Sequence, residues 1–460
     1  MSTPNSNRAA FRLGLEAMKK LRYAEAIIIF EGIQKSEPKN MGALGNAGTC
    51  AFNLGDYKKT IALMSIILER NSSDWGATIM LAQAVLKTGD WELSAKLTKD
   101  ALIINPKEQK LWSQLVSIYL LQNNLEAAEK ELSNAFKNCI PSNELKLLAG
   151  LFFLEKNDTL KSKTIFHELS KLDPKTYNEL HIRSVAHLRL NHWEHAFDTC
   201  SNPASPPSFL HDSFDERKKT NDYLNTLPSI KFMCNKRFAP TRTVMFAGDE
   251  LYIERFFQGA ADSVKESNSD CNIHLHAMLS YETNPAFLEK LVNDQTSISY
   301  EFYKPIEKTG YTTRRFVRLF QILNYLKKPI LCLDIDSKVV GNLNQFFDEF
   351  LSTDIGIYRR RMEVVITQLT HAAMLYASPT AGALRFLGFF SNYVNYLESR
   401  NKLNWFADQM ALLATKLWVN RFPGIVIVKQ IPVEFMTWTA QQANTLVFTF
   451  KGGQKDFVDV

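Results

Sequence analysis

A 34-residue period governs the chain from Asn7 to Pro203. Gly14, Gly48, Ala82 and Gly150 are spaced by 34, 34 and 68 residues, and Pro38, Pro106 and Pro174 by 68, twice the period. Tyr23, Tyr57, Trp91 and Trp193 keep the same phase. So do Ala26, Thr60, Ser94, Ala128, Ser162 and Ala196, a small residue at every step. Six frames run without insertion from Asn7, Met41, Trp75, Gln109, Asn143 and Tyr177. Self-similarity at a fixed period of this length is the signature of stacked supersecondary units. The unit reads as helix–turn–helix. Its small residues let two helices approach closely. The aromatic after Gly-Asp (Gly55-Asp56-Tyr57, Gly89-Asp90-Trp91) fills the turn, and the proline ends the second helix because it cannot continue the hydrogen-bond ladder. Ser72 and Ile140 stand at the proline position, and Leu125 and Thr159 at the aromatic one.

In this phase and unit, residues 7–203 resemble the tetratricopeptide (TPR) repeat family. In that family the first helix of each unit lines a curved inner face through positions 2, 5, 9 and 12 of the repeat. Here those positions include Phe11, Leu15, Met18, Phe52, Ile79, Leu86, Leu120, Leu147, Leu151, Leu154 and Leu188. The resemblance therefore implies a groove for an apolar or extended peptide, from an acceptor protein or another partner. Packing of the same side chains by neighbouring structure stays open as the alternative. The Lys/Asn/Arg set with which some TPR domains grip a peptide's C-terminal carboxylate is missing.

Composition narrows the rest. Hydrophobic residues make up 45% of the 460 and charged residues 22%, enough apolar surface for packed domains and too much for general disorder. A net charge of +6 is too mild to argue for nucleic acid. No long uncharged apolar run predicts a spanning helix. Met1-Ser2-Thr3-Pro4-Asn5 lacks the basic and apolar regions of a signal peptide, so a cytoplasmic location is the expectation. The six cysteines have no close spacing and support neither a zinc knuckle nor a dense disulfide framework.

The period stops after Cys200. Ser201-Asn202-Pro203-Ala204-Ser205-Pro206-Pro207 is a cluster that helices avoid. Phe209–Leu227 has helical spacing suited to capping the last repeat, and Pro228 and Pro240 bracket a connector. From Thr241 short apolar runs alternate with amphipathic ones. Strands are predicted over 243–247, 272–278, 297–303 and 329–333, with helices over 251–264 and 312–326. Such alternation predicts a parallel α/β sheet with ligands at the strands' carboxyl ends.

Leu331-Cys332-Leu333-Asp334-Ile335-Asp336 is the main chemical signal: an apolar strand that delivers two carboxylates, two residues apart. In an extended chain such residues share a face. Both can then serve one hard cation, Mn²⁺ or Mg²⁺, which takes carboxylate and phosphate oxygens and can neutralise a leaving diphosphate. An isolated Asp-x-Asp is weak, and a solvated turn is its ordinary explanation.

The order Arg-Phe helix, Lys-Pro, strand, acidic pair over Tyr311–Asp336 resembles glycosyltransferases of the GT-A fold, family 8-like and metal-dependent. The resemblance spans about residues 241–457 and implies the following roles. Arg315 of Arg315-Phe316 contacts the donor, with Arg318 a competing candidate. Ala247, Asp249 and Tyr252 of Ala247-Gly248-Asp249-Glu250-Leu251-Tyr252 lie where the family binds base and ribose. Thr370-His371-Ala372-Ala373-Met374 occupies the place of an Asn-Ala-Gly near the donor sugar, with His371 replacing the Asn. Trp405-Phe406-Ala407-Asp408-Gln409 is similar to the Trp-x-x-Asp-Gln of retaining members, whose Asp contacts sugar hydroxyls and whose Gln lies near the reacting carbon. Thr449-Phe450-Lys451-Gly452-Gly453-Gln454-Lys455 is similar to His-aromatic-x-Gly-x-x-Lys. It keeps Lys455 for the diphosphate and has Thr449 in place of a metal-binding His. No motif carries His274 and His276, and Arg359-Arg360-Arg361 reads as a solvated charge run.

The expectation is thus a two-domain chain. A TPR solenoid of about six repeats (7–203) precedes a capping helix and linker (204–240) and a GT-A nucleotide-diphospho-sugar transferase domain (241–460). Its donor is a nucleoside diphosphate sugar, a UDP-sugar in the first instance, and its metal ligands are Asp334 and Asp336. The alternative is a TPR interaction scaffold with a catalytically impaired transferase-like half.

Overall fold

The computed structural model describes residues 4–192, 195–196, 216–233, 241–305, 309–360, 366–401, 403, 406–437 and 444–450. Trp193, Cys200, the 201–207 cluster, Arg361, Trp405 and Lys455 lie outside them. Contacts divide the chain into two compact units. One reaches Ile165, and the other runs from Phe166 to Thr437 and includes Val447–Thr449. The sixth repeat's helix Tyr177–Arg189 thus lies in the second unit by contacts, although its sequence keeps the repeat phase.

The first unit is a helical-repeat solenoid. Its helices are α1 (Pro4–Lys19), α2 (Tyr23–Ser36), α3 (Met41–Asn53), α4 (Tyr57–Arg70), α5 (Trp75–Lys87), α6 (Trp91–Ile104), α7 (Gln109–Leu121), α8 (Leu125–Asn138) and α9 (Asn143–Glu155), with α10 (Thr159–Ser170) following. The period has a local cause at every boundary. Asn40, Asp74, Glu108 and Ser142 cap the first helices, each accepting a backbone N–H from the helix that it opens. Asp56, Asp90 and Asn124 do the same for the second helices. Between the helices of a pair the chain passes through a left-handed residue: Leu21, Gly55, Gly89, Asn123 or Asn157, at φ between 55° and 88°. That conformation ends one helix and turns the chain into the next.

The small residues do what the spacing predicts, and three of them do more. Thr60, Ser94 and Ser162 donate across the pair to the carbonyls of Gly48, Ala82 and Gly150, at 3.3, 2.8 and 3.0 Å. Close approach is real at the glycines as well, since a Cβ on Gly14 would lie 2.7 Å from the Phe30 ring. The expected inner face needs a correction. Leu120, Leu147 and Leu151 are buried, as is Leu188 in the second unit, so they cannot line an open groove. Phe11, Leu15, Met18, Phe52, Ile79, Leu86 and Leu154 are half-buried. The first helices of consecutive repeats pack on one another, α7 on α9 among them.

The second unit carries α11 (Tyr177–Arg189) and α12 (Glu216–Thr226), then a mixed sheet. Its strands are β1 (Lys231–Met233), β2 (Arg242–Gly248), β3 (Cys271–Leu279), β4 (Thr296–Phe302), β5 (Ile330–Asp334), β7 (Ile355–Arg359), β8 (Thr370–Ala377) and β9 (Val428–Ile431). They run in the order β1-β4-β3-β2-β5-β8-β7-β9. The strands β4-β3-β2-β5 are parallel, but β8 is antiparallel to both neighbours and β1 to β4. The expected all-parallel sheet is therefore corrected to a mixed one. A smaller sheet joins β10 (Met436–Thr437), β11 (Val447–Thr449) and β6 (Ser337–Val339). The helices are α13 (Gln258–Ser267), entered through a π-helical turn at Ile253–Phe257, α14 (Thr309–Leu326), α15 (Asn344–Glu349), α16 (Ala381–Glu398) and α17 (Ala407–Val419). Among the described residues no helix is long and apolar enough to cross a membrane.

Candidate active site

The order of the sheet reverses between β2 and β5. The chain lays β3 and β4 on one side of β2 and then returns to place β5 on the other. Open α/β sheets bind ligands in the crevice beyond the carboxyl ends at such a switch point. Ala247 and Asp334 are register partners there. Gly248 lets the ends close up, since a Cβ at that position would lie 3.0 Å from Ile335 and 3.3 Å from Tyr252. Asp249 caps the helical turn that follows, accepting the Tyr252 N–H at 2.9 Å.

Arg315 is the hub. It lies nearly two turns into α14 rather than opening the helix, because the helix already starts at Thr309. Its guanidinium is paired with the Asp334 carboxylate. It also donates to the Ala372 carbonyl at 2.9 Å and to Asp408 Oδ2 at 3.5 Å. Burial alone would lower the Arg315 pKa; the carboxylates, Asp334 foremost, outweigh it and hold the group charged. Burial raises the Asp408 pKa against the opposing pull of Arg315. Arg318 points elsewhere. It joins Arg314 on the buried Glu301 and donates to the Pro228 carbonyl at 2.5 Å. It is therefore withdrawn as the competing donor contact.

Asp336 is buried, but it sits in the turn Ile335–Asp336 between β5 and β6, not on extended strand. The face-sharing expectation for the acidic pair is corrected accordingly, since alternation holds only while the chain is extended. Thr449 pairs in register with Ser337, the residue after Asp336, and their hydroxyls are 2.9 Å apart. The C-terminal strand thus borders the acidic turn.

On the other side, His371 Nδ1 accepts the Ala373 N–H at 3.2 Å. The Gln409 amide lies 2.9 Å from the carbonyls of both Thr370 and Thr367, in the orientation that lets its nitrogen donate. The Gln409 N–H meets Asp408 Oδ1 at 2.8 Å. Ahead of this helix Phe406 is left-handed, at φ 73°. A bulky side chain in that region costs about 1–2 kcal/mol, and strain of this kind clusters at functional sites.

The structure thus brings Arg315, Asp334 and Asp408 into direct contact, with Ala372 and Gln409 alongside. It sets Asp336, Thr449, Ala247 and Asp249 on the neighbouring elements. Sequence reasoning missed Glu250, whose carboxylate accepts the Ser280 N–H, and Tyr311, whose pKa is raised by burial and by Asp249 and Glu250. It also missed Glu301. His276 was read without its partner and is hydrogen-bonded to Glu301, while His274 bridges Ser297 and Ser299.

Comparison with protein-family profiles and with curated proteins finds no match. Among the solved structures to which the chain shows partial similarity are tetratricopeptide repeat proteins. A thermophilic TPR protein of Thermus thermophilus is 20% identical, with a TM-score of 0.32 over 40% of this chain and 99% of that one. A tetratricopeptide repeat protein of Parabacteroides merdae is 15% identical, with a TM-score of 0.38 over 48% of this chain and 85% of that one. The helical-repeat assignment itself rests on the paired helices, their caps and their left-handed turns.

Proposed function

We propose that the second unit is a retaining glycosyltransferase of the GT-A kind, and that the repeat unit recruits its acceptor. The donor is a nucleoside diphosphate sugar, a UDP-sugar in the first instance. The observation that carries this reading is the contact of Arg315 with both Asp334 and Asp408 beside the switch point between β2 and β5. Three segments far apart in sequence supply the charges, as a site that handles an anionic leaving group requires.

A nucleoside diphosphate donor calls for a hard divalent cation. Among the described residues no three ligating side chains are gathered to hold one. Asp334 and Asp408 are paired with Arg315 and Asp336 lies in the adjoining turn, so donor oxygens would have to complete the set. Asp334 and Asp336 would hold Mn²⁺ or Mg²⁺, which when bound offsets charge on a diphosphate. The chain's own residues do the rest. Arg315 opposes charge on the departing phosphate and fixes the carboxylates of Asp334 and Asp408. Asp408 and Gln409 orient the sugar, with Gln409 steadied by two carbonyls. Ala247, Asp249 and Tyr252 border base and ribose. His371 would stand near the sugar; Lys455, outside the described residues, is assigned to the diphosphate by the motif resemblance alone. Along the repeats, the half-buried Phe11, Leu15, Met18, Phe52, Ile79 and Leu86 suit an extended acceptor segment, and tethering raises its effective concentration.

The second reading is a scaffold whose transferase-like half has lost turnover. Thr449 favours it, since its hydroxyl faces Ser337 and is a weak ligand where the resemblance expects a histidine. One experiment separates the two. Titration of the full chain with UDP, with and without Mn²⁺, should show metal-strengthened binding that Asp336→Asn abolishes at unchanged melting temperature, and UDP-sugar hydrolysis should follow the same pattern. No UDP binding under either condition overturns the transferase reading and leaves the scaffold.

A further inference from the structure

Between Asp408 and Glu434 the chain holds three cations, Lys416, Arg421 and Lys429, and no acid. Within that stretch the residues that follow α17, from Asn420 to Ile425, are all exposed. Two of them are large and apolar, Phe422 at 45% exposure and Ile425 at 39%, and Ile427 follows at 56%. Apolar side chains scattered singly over a surface are ordinary, but three gathered on one projecting loop mark an interaction site.

The loop is built rather than slack. The Phe422 N–H donates to the Val419 carbonyl at 3.0 Å, and the Ile425 N–H to the Phe422 carbonyl at 3.2 Å. Pro423 followed by Gly424, left-handed at φ 84°, is the pattern of a type II turn. That turn holds Phe422 and Ile425 at its two corners. Its tip stands in open space, since a Cβ on Gly424 would meet nothing within 4 Å. Behind it the Phe422 ring lies 5.4 Å from Trp418, on which Phe389 stacks at 4.2 Å. On the return, the Ile427 N–H donates to Asp354 Oδ2 at 2.7 Å and its carbonyl accepts the Ile355 N–H at 3.1 Å. Turn geometry fixes Pro423 and Gly424; it does not call for large apolar corners.

The sheet gives the tip its place. Val428, which opens β9, is the register partner of Ile355, which opens β7. Ile355 and Ile330, which opens β5, both pair with Ala377. The tip therefore lies at the amino ends of these strands, opposite the crevice at the carboxyl ends. Lys327 and Lys328 precede β5 at this same end, and Arg385 is exposed on α16 one turn before Phe389. The acids nearby are already held: Glu349 by Lys429 at 2.8 Å, and Asp354 by the Thr380 hydroxyl and the Ile427 N–H.

We propose that the Phe422–Ile425 turn docks the second unit on an anionic lipid surface. Phe422, Ile425 and Ile427 enter the acyl boundary, and Arg385 and Arg421 meet the headgroup phosphates. A fluid bilayer closes around a convex tip, whereas a protein partner would need a pocket shaped to it. Interfacial binding grows with the apolar area buried and with attraction between cations and anionic lipid. Docking at the amino ends leaves the crevice open, so this inference does not depend on the transferase reading.

The test is sedimentation of the full chain with vesicles of phosphatidylcholine, with and without phosphatidylserine. Binding to the phosphatidylserine vesicles should be about tenfold tighter or more, and salt should weaken it. Phe422→Ser and Ile425→Ser should each weaken it about fivefold, and Arg421→Gln about fivefold on the anionic vesicles. All three variants should keep the circular dichroism spectrum of the unaltered chain. Ile425→Ser leaves the Trp418 contact intact and carries the test if Phe422→Ser disturbs folding. No sedimentation with phosphatidylserine vesicles, or unchanged binding by Ile425→Ser and Arg421→Gln, overturns the proposal. So does a dimer in the absence of lipid that Ile425→Ser dissociates, because the tip is then a contact between copies of the chain.

Discussion

The two units solve the same problem, satisfying buried polar groups, at different ranges. In the repeats the partners are near in sequence and the solution recurs. The Thr60 hydroxyl reaches the Gly48 carbonyl twelve residues away, and Ser94 and Ser162 repeat the bond at the same phase. In the sheet unit each solution occurs once and spans the chain. Ser337 meets Thr449 across 112 residues, and Arg315 meets Asp408 across 93. Damage to a repeat is therefore expected to stay local, because each repeat touches only its neighbours. Damage to a single long-range cluster removes support from several strands at once.

Glu301 gives the sharpest test of that contrast. Its carboxylate, fully buried on β4, binds Arg314 and Arg318, one turn apart on α14, and His276 on β3. Glu301→Gln would leave two buried guanidiniums without a counter-charge. Removing one partner of a buried ion cluster costs about 3–5 kcal/mol. Hydrogen exchange followed by mass spectrometry should show β3, β4 and α14 losing protection together, with α3–α6 unchanged. A loss below about 1 kcal/mol would mean that the cluster is not a keystone of the sheet unit.

Acid should separate the units next. Burial presses the pKa of His274 down to about 3 from 6.5, and that of His276 downward as well. A histidine with a depressed folded pKa binds fewer protons folded than unfolded. Stability therefore falls as pH drops below 6.5 and continues to fall toward the folded value. Glu301 adds in the same direction. Burial opposes its ionisation, but His276, Arg318 and Arg314 hold its pKa well below 4.5, so its contribution is present above 4.5 and lost beneath it. In the repeats Glu144 has the opposite sign, being raised by burial, and the lowered Glu37 and Asp158 are only half-buried. Between pH 6.5 and 4 the sheet unit should lose exchange protection before the repeats do. His274→Gln should flatten its profile; simultaneous loss in both units would contradict the contrast.

The same difference in range explains what could be read from sequence alone. Helix starts at Met41, Trp75, Gln109, Asn143 and Tyr177 coincide with the expected frames because caps and turns act within a few residues. The inner face was legible only in part. Position within a repeat does not say whether a neighbour covers it, and Leu120, Leu147, Leu151 and Leu188 are buried. In the second unit only β2–β5 were legible from apolar runs; β8 was not expected as a strand, and periodicity carries no direction that would have shown its reversal. Arg315 could be told from Arg318 only once the helix was seen to start at Thr309 and Glu301 to claim Arg314 and Arg318. Glu301 itself was invisible: its partners meet it through the register of β3 with β4, where His276 pairs with Ser299.

The smallest expected effect lies at the first turn of the repeats. Gly55 and Gly89 hold the left-handed position in the second and third units, and Asn123 and Asn157 in the next two; Leu21 holds it in the first, at φ 58°. A non-glycine residue there costs about 1–2 kcal/mol, least when a short polar side chain can bond locally, as in Asn. Leu21 recovers little by packing, since it is 71% exposed. The next residue, Arg22, offers no side-chain cap to α2 where the next four repeats use Asp or Asn. Leu21→Asn should therefore stabilise the first repeat by about 0.5–1 kcal/mol. Glycine should help less, because it also frees the unfolded chain. Exchange of the α1 and α2 amides should slow while that of α5 and beyond stays fixed. If slowing spreads through the whole solenoid, the repeats are more cooperative than nearest-neighbour coupling allows. If Leu21→Asn destabilises, the exposed leucine makes contacts in solution that outweigh its backbone strain.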